Sequence, residues 1–564
     1  MQWLPISVPS TDTVAAMQQN LGVSTTVAQL LVQRGYDSFE KAKAFFRPQL
    51  SMLHDPFLMK DMDRAVARIL HAIATQEQIV VYGDYDVDGT TAVALLFSYL
   101  KTKTPHVHFY IPDRFTEGYG ISRLGIEVAS QNNAGLIIAL DCGIKALEQV
   151  NFAKRLGIDF IICDHHLPGD ELPEAVAVLD PKRSDCHYPY DALCGCGIGF
   201  KLIQALHIKQ KGNPKELENY LDLVATAIAA DIVPITGENR VLTHFGIAQM
   251  QIKPRLGFAP FLKQLNGTIT VADLVFKIAP RINAAGRMKH GKYAVELLIA
   301  NTSQEALQWA QQIDAYNEDR KALDDQITQE ALTQIKTLQE ENTATTVVLS
   351  DHWHKGVIGI VASRLIETYY KPTVVLSKNG NTFTGSVRSV KGFDVYAALE
   401  ACSAFLDQFG GHQFAAGLTL DASQLAAFKN AFERAVQQRI DPASKIPSMT
   451  YDRILGLDEI DLKLYRIIEQ MAPFGPHNMR PVFRTQFCRD TGQSKRVGQD
   501  QLHLKLVCTD PSGVVQSGIA FGMGHHYDTL KKGIPFEILY SLDLNTFNGF
   551  KELQLKIKDL KFME

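Results

Sequence analysis

Gln78-Ile-Val-Val-Tyr-Gly-Asp-Tyr-Asp-Val-Asp-Gly89 is the stretch on which the fold turns. A β-branched apolar run passes directly into Asp84, Asp86 and Asp88 at alternate positions, then into a glycine and a helical pattern over 90–99. A strand that is apolar along its whole length needs cover on both faces, as in a parallel sheet flanked by helices. Outward from it the rhythm repeats. Apolar runs at 107–111, 136–140, 160–163 and 176–179 alternate with helical stretches such as 123–130 and 145–156. The expected fold class is α/β, built on a doubly wound parallel sheet.

In such a sheet ligands bind beyond the carboxyl ends of the strands. Carboxylates gathered this closely raise one another's pKa unless a cation compensates them, and hard oxygen ligands suit Mg²⁺ or Mn²⁺. Two plainer readings compete. One is a helix N-cap in a solvated acidic turn; the other is a calcium loop, which here lacks the Glu expected at its twelfth position. The turn is not alone, however. The run 136–140 ends in Asp141, the run 160–163 ends in Asp164-His165-His166, and apolar 226–230 ends in Asp231. Residues 84, 86, 141, 165 and 231 can then face one cavity, a carboxylate–imidazole site suited to two divalent cations and phosphoester hydrolysis.

The remaining chain divides by texture. Residues 1–75 read as helical and irregular, 76–300 as the parallel-sheet domain and 301–341 as one or two connecting helices. Residues 342–447 carry a second, smaller α/β pattern. Short strands with turn residues between them over 448–564 suggest a β-barrel of OB type. Of 564 residues, 46% are hydrophobic and 21% charged, with a net charge of −4, which excludes a disordered chain and a uniformly basic nucleic-acid binder. No apolar stretch approaches a membrane span, and Met1-Gln-Trp-Leu-Pro does not begin a signal peptide. Eight cysteines are too sparse for a disulfide scaffold, and Cys194-Gly-Cys196 is too tightly spaced for paired zinc thiolates. The expectation is a reducing, cytoplasmic compartment.

Two further clusters suggest phosphate and nucleic-acid contacts. Gly410-Gly411 allows a backbone to approach an anion and His412 can donate to it, although a tight turn with a solvated His reads the same way. Ser386 and Arg388 alternate on one strand face, as a phosphate grip or as an ordinary exposed face. In the barrel region Lys495, Arg496, Lys505, Lys531, Lys532, Lys551, Lys556, Lys558 and Lys561 lie among Phe483, Phe487, Phe547 and Phe550. Cations interleaved with aromatics bind single strands, unless those rings are core.

The acidic turn, Asp141, Asp164-His165-His166 and Asp231-Ile-Val-Pro together resemble the four motifs of the DHH phosphoesterase superfamily, and Gly410-Gly411-His412-Gln-Phe-Ala-Ala-Gly417 resembles the glycine-rich motif of the DHHA1 domain. Pro280-Arg281-Ile-Asn-Ala-Ala-Gly286-Arg287, Ser386-Val-Arg388-Ser and the terminal barrel resemble its bacterial single-strand-specific 5′→3′ DNA exonuclease branch. The resemblance implies metal ligands at Asp84, Asp86, Asp141, His165 and Asp231. It implies His166 near the scissile phosphate, with Asp164 orienting a histidine. Asp88 then supports the ligands or caps the helix after Gly89. Arg281, Ser386 and Arg388 are implied to hold a 5′-terminal phosphate, with Gly411 and His412 near the reacting one. Some relatives place a His four positions before the first acid; here that position is Val80.

The activity implied is 5′→3′ exonuclease action on single-stranded DNA, two-metal hydrolysis releasing 5′-mononucleotides, in recombination and mismatch repair. The implied partners are single-stranded DNA, a RecQ-type helicase and a single-strand-binding protein, for a monomer with no membrane contact. A DHH oligoribonuclease or cyclic-dinucleotide phosphodiesterase is the alternative enzyme, and a catalytically dead single-strand binder the alternative outside enzymes. The β-domain at 448–564 argues against the first, and the intact acids argue against the second.

Overall fold

The computed structural model describes residues 1–265, 267–547 and 550–563, with Thr546, Phe547 and Phe550 described by backbone alone. The strand Gln78–Gly83 lies inside a five-stranded parallel sheet ordered Val107–Tyr110, Gln78–Gly83, Ala134–Leu140, Asp159–Cys163, Ala177–Leu179. Alternate residues explain the unbroken apolar runs. Ile79, Val81, Leu136, Ile138, Leu140 and Ile161 enter one core, whereas Val80, Tyr82, Ile137, Ala139, Phe160 and Ile162 enter the core on the opposite face. Helices Val87–Lys101, Gly195–Lys209 and Leu221–Ala230 cover the first face, and Arg123–Gln131 and Leu147–Arg155 the second. The sheet is doubly wound, as expected.

Strand order fixes where a ligand can enter. From Gln78–Gly83 the chain first adds a strand on one side and then crosses to the other, so the connections leave in opposite directions between Gln78–Gly83 and Ala134–Leu140. That switch point opens a crevice at the carboxyl ends of these two strands. The residues at its lip are Asp84 and Asp141.

The connection to the second domain is a single helix, Ser303–Thr337, of 35 residues. The smaller sheet that follows runs Gln408–His412, Ala415–Asp421, Thr382–Arg388, Thr373–Asn379, Thr346–Ser350, with only the last pair parallel. Beyond it, seven strands form a sheet in which Phe483–Asp490 pairs with both Phe536–Phe547 and His503–Thr509, closing a barrel. The first 75 residues serve two cores. Helices Thr11–Leu21, Thr25–Gln33 and Phe39–Phe46 pack into the barrel's core, and Met62–Ala74 packs into that of the parallel sheet. Strand Gln2–Pro5 pairs with Ser448–Tyr451, bringing the amino end to the C-terminal region.

Candidate metal centre and phosphate-binding cleft

The acidic turn is shaped by backbone crowding. A Cβ on Gly89 would stand 2.5 Å from the carbonyl oxygen of Asp84, so only glycine lets the turn fold back on itself. Asp84 accepts hydrogen bonds from the amides of Tyr85 (2.6 Å) and Gly120 (2.7 Å). Asp86, not Asp88, caps the helix Val87–Lys101, accepting from Gly89 N at 3.0 Å. Asp88 instead caps a distant helix, Gly195–Lys209, accepting from the amides of Gly195 (2.6 Å) and Cys196 (2.7 Å). One helix thus donates its free N-terminal amides to a carboxylate of another element.

Asp141 takes a left-handed backbone, φ 59°, beyond its strand. Gly195 allows this approach, because a Cβ there would meet the Asp141 Cβ at 2.5 Å. His165 Nε2 lies 3.2 Å from Asp141 Oδ1, 3.6 Å from Asp231 Oδ2 and 3.9 Å from Asp88 Oδ2. Asp141, His165 and His166 form one group of donor atoms within 4.8 Å of one another, and Asp88, His165 and Asp231 form a second. The run 226–230 is the last turn of helix Leu221–Ala230, so Asp231 arrives from a helix end and not from a strand. Of the five expected ligands, Asp141, His165 and Asp231 converge. Asp84 is engaged by two amides, and Asp86 stands close enough for its charge to act on Asp84, Asp88, Asp141 and Asp231. Asp88, expected only to support the ligands or cap a helix, converges with His165 as well, through a fold contact that no local spacing encodes.

The electrostatics describe a site short of positive charge. Burial, followed by the Asp86 charge, pushes the Asp84 carboxyl well up; burial and then Asp88, Asp86 and Asp231 do the same to Asp141. Burial and Asp86 bring Asp88 to about 6, and burial with Asp88 and Asp86 brings Asp231 to about 8. His165 is driven down to about 3 by burial and then by the charges of His166 and Lys182, whose ammonium donates to the His165 carbonyl. Asp141 Oδ1 and His165 Nδ1 are buried without a hydrogen-bond partner. Raised carboxyls, a neutral imidazole and orphaned donor atoms fit a divalent cation, whose charge would bring the carboxyls back down and keep the imidazole neutral. His166 differs. Burial opposes its charge, but its 2.7 Å hydrogen bond to Asp164 and that carboxylate's charge raise it to about 9. Burial would raise Asp164 itself, yet His166 and the amide of Ile144 hold it at about 2.

A cluster of arginines faces this centre. Ser386 and Arg388 share a strand face as expected, with Arg388 Nη1 donating to Ser386 Oγ at 3.1 Å. Arg281 stands elsewhere: its guanidinium is held by Asp314 (2.7 Å), Gln264 (2.7 Å) and the Lys277 carbonyl. The guanidinium beside Arg388 is that of Arg287, lowered to about 9 by burial and then by the charges of Arg114, Arg388 and Arg320. Arg287 donates to Gly356 O (3.0 Å), joining the two domains, and Arg114 lies over the Tyr85 ring at 4.9 Å. Among the described residues no carboxylate forms an ion pair with Arg114, Arg287 or Arg388, so the cluster carries positive charge that no ion pair offsets. Gly411, φ 147°, precedes His412, which is lowered by burial and then by the charges of Arg388 and His166. That imidazole therefore lies close enough to Arg388 and His166 for both charges to act on it. On the barrel, Phe483 is core but Phe487 is exposed, and Lys495 lies directly opposite Lys505. The side chains of Phe547 and Phe550 lie outside the described residues.

The DHH family N-terminal domain matches residues 78–228, the DHHA1 domain 341–438 and the RecJ OB domain 451–559. The chain is 35% identical over 571 residues to the single-stranded-DNA-specific exonuclease RecJ of Bacillus subtilis, spanning 100% of this chain and 71% of that protein. It is 33% identical to the RecJ of Salmonella typhimurium, with 89% and 90% covered. The structure of Thermus thermophilus RecJ in complex with Mn²⁺ superposes with a TM-score of 0.85 at 26% identity, covering 100% of this chain and 80% of that one. The same organism's RecJ in complex with Mg²⁺ gives 0.80 at 25%, covering 100% and 79%.

Proposed function

Since the chain belongs to the RecJ family of single-stranded-DNA-specific exonucleases, we propose that it removes 5′-mononucleotides from single-stranded DNA, in the 5′→3′ direction, with two divalent cations at the Asp141–His165–Asp231 cluster. Mg²⁺ or Mn²⁺ is the cofactor. When bound, these ions supply charge neutralisation for in-line attack of water on phosphorus. Asp141, His165 and Asp231 would hold them, with Asp84, Asp86 and Asp88 completing the carboxylate set around them.

The remaining roles follow from protonation and position. His166, with Nδ1 engaged by Asp164 and a pKa of about 9, keeps a proton on its other nitrogen at neutral pH and donates it to a phosphate oxygen. Arg287, Arg388, Arg114 and Ser386 grip the terminal 5′-phosphate, and His412 reaches the reacting one across the cleft. A terminus fixed at the arginines sets which bond meets the metal centre, so one nucleotide leaves per cycle. The observation that carries this reading is the unpaired arginine cluster facing the acid–imidazole cluster.

The division at 76–300, 342–447 and 448–564 follows the same logic, with hydrolysis on the first unit, end recognition shared by the first and second where they meet, and strand holding on the third. Recombination and mismatch repair, beside a helicase and a single-strand-binding protein, suit a cytoplasmic monomer with this activity; none of the described helices is long and apolar enough to cross a membrane. The test is a 5′-phosphorylated single strand labelled at either end and incubated with Mn²⁺. Mononucleotides released first from the 5′ end are expected. Release from the 3′ end, or cleavage restricted to dinucleotides, refutes the proposal.

A further inference from the structure

Arg240, on helix Gly237–Ile252, is 4% exposed and, among the described residues, has no carboxylate partner. Main-chain carbonyls satisfy it instead. Nη1 donates to Met471 O at 2.9 Å, Nη2 donates to Ala472 O at 2.9 Å and Phe45 O at 3.0 Å, and the guanidinium lies 3.9 Å above the Phe45 ring. A buried guanidinium left without a counter-charge is expensive to maintain, so its placement calls for a reason beyond packing.

Its partners supply one. Residues 471–478 form a loop leading into the barrel strand Phe483–Asp490, and Asn478 fixes its shape by donating to Met471 O (3.0 Å) and Pro473 O (2.9 Å). The far side of the loop rests on the segment that carries Asp231. Ile235 N donates to Pro476 O at 2.8 Å, and Gly475 approaches so closely that a Cβ would meet Ile235 Cγ1 at 2.5 Å. The opposite side of that segment is held by Asn239, donating to Pro234 O at 3.0 Å, and by Tyr190, donating to Thr236 O at 3.0 Å. The Asp231 segment is thus clamped between its own domain and the barrel's loop, with Arg240 as the bolt.

We infer that Arg240 is a positioning residue that holds the barrel in register with the metal centre, so that a strand engaged by the barrel presents its 5′-terminal phosphodiester bond at Asp231. This inference rests on the exonuclease reading above. A fork of five donors reaches several carbonyls at once, whereas a lysine offers a point charge that cannot span them. Arg240→Lys therefore loosens the register while keeping the charge.

The experiment compares a tetranucleotide, too short to need the barrel, with a forty-nucleotide strand, both 5′-phosphorylated and with Mn²⁺. In R240K the long substrate is expected to lose about tenfold in kcat/KM, through KM, while the tetranucleotide stays within about twofold of wild type. G475A, which keeps Arg240 but wedges the loop away from Ile235, should show the same split, and it decides the matter if R240K fails to fold. An equal loss on both substrates, or no loss on either, overturns the inference. A wild-type protein that degrades neither strand overturns the exonuclease reading itself.

Discussion

Gly195→Ala separates chemistry from stability at this site. The added Cβ would stand 2.5 Å from Asp141 Cβ and 2.7 Å from its Cα. Ordinary carbon–carbon contact needs about 3.5 Å, so Asp141 or the helix start must move by about 1 Å. The backbone of Asp141 is pinned by the hydrogen bond its N–H donates to Cys163 O at 2.8 Å, and its carboxylate faces His165 at 3.2 Å. Overpacking of this size costs about 1–3 kcal/mol, and a 1 Å misplacement of a catalytic group costs about 10²-fold in rate. Gly197→Ala, two residues along the same helix, is the control. Its Cβ would meet nothing closer than Leu193 Cδ2 at 3.4 Å, and replacing a helical glycine stabilises by about 0.5–1 kcal/mol. Thermal melting and Mn²⁺-dependent release of nucleotides should therefore diverge. G195A should melt within a few degrees of wild type yet lose about two orders of magnitude in turnover, and G197A should keep both. Wild-type turnover in G195A, or an equal loss in G197A, refutes the claim that Asp141 is placed by this contact.

Three further outcomes are expected. Replacing His165 by Ala should abolish turnover and weaken Mn²⁺ binding by calorimetry while leaving single-strand affinity intact, because binding and hydrolysis use different side chains. Arg388→Ala should cost about 10- to 100-fold in the preference for a 5′-phosphate over a 5′-hydroxyl, the value of a lost charge-assisted contact of about 1.5–3 kcal/mol, measured as a ratio of kcat/KM values. Burial acts to raise the Asp61 carboxyl, but the 2.8 Å ion pair with Arg183 outweighs it and holds the pKa below its ordinary value. A carboxylate lowered in the folded state stabilises above its unfolded pKa, near 4, and that contribution disappears as pH falls further. Asp61→Asn should consequently flatten the acid limb of the melting-temperature profile and leave the profile above pH 6 parallel to wild type.

Much of the site was legible before any coordinates because its geometry is local. Gly83 to Gly89 had to be a strand end, a turn and a helix start, and an acid past an apolar strand has only one edge of the sheet to occupy. Local pattern failed where two candidates lie on one element. Arg281 and Arg287 share a helix, yet six residues rotate the side chain to a direction about 120° away, so one turns to Asp314 and the other to Arg388. The spacing of Asp86 and Asp88 likewise could not say that the first caps its own helix and the second a helix more than a hundred residues later.

Sequence alone determined the strand-and-helix alternation, the closed barrel texture and the residue types at the strand ends, because periodicity records which faces a segment must bury. Only the tertiary structure decided that the amino-terminal helices complete the barrel's core, that a helix end delivers Asp231 to His165, and that Arg240 ties the two regions together. Those contacts join residues from distant parts of the chain, and nothing in the local energetics of either partner encodes the other's position.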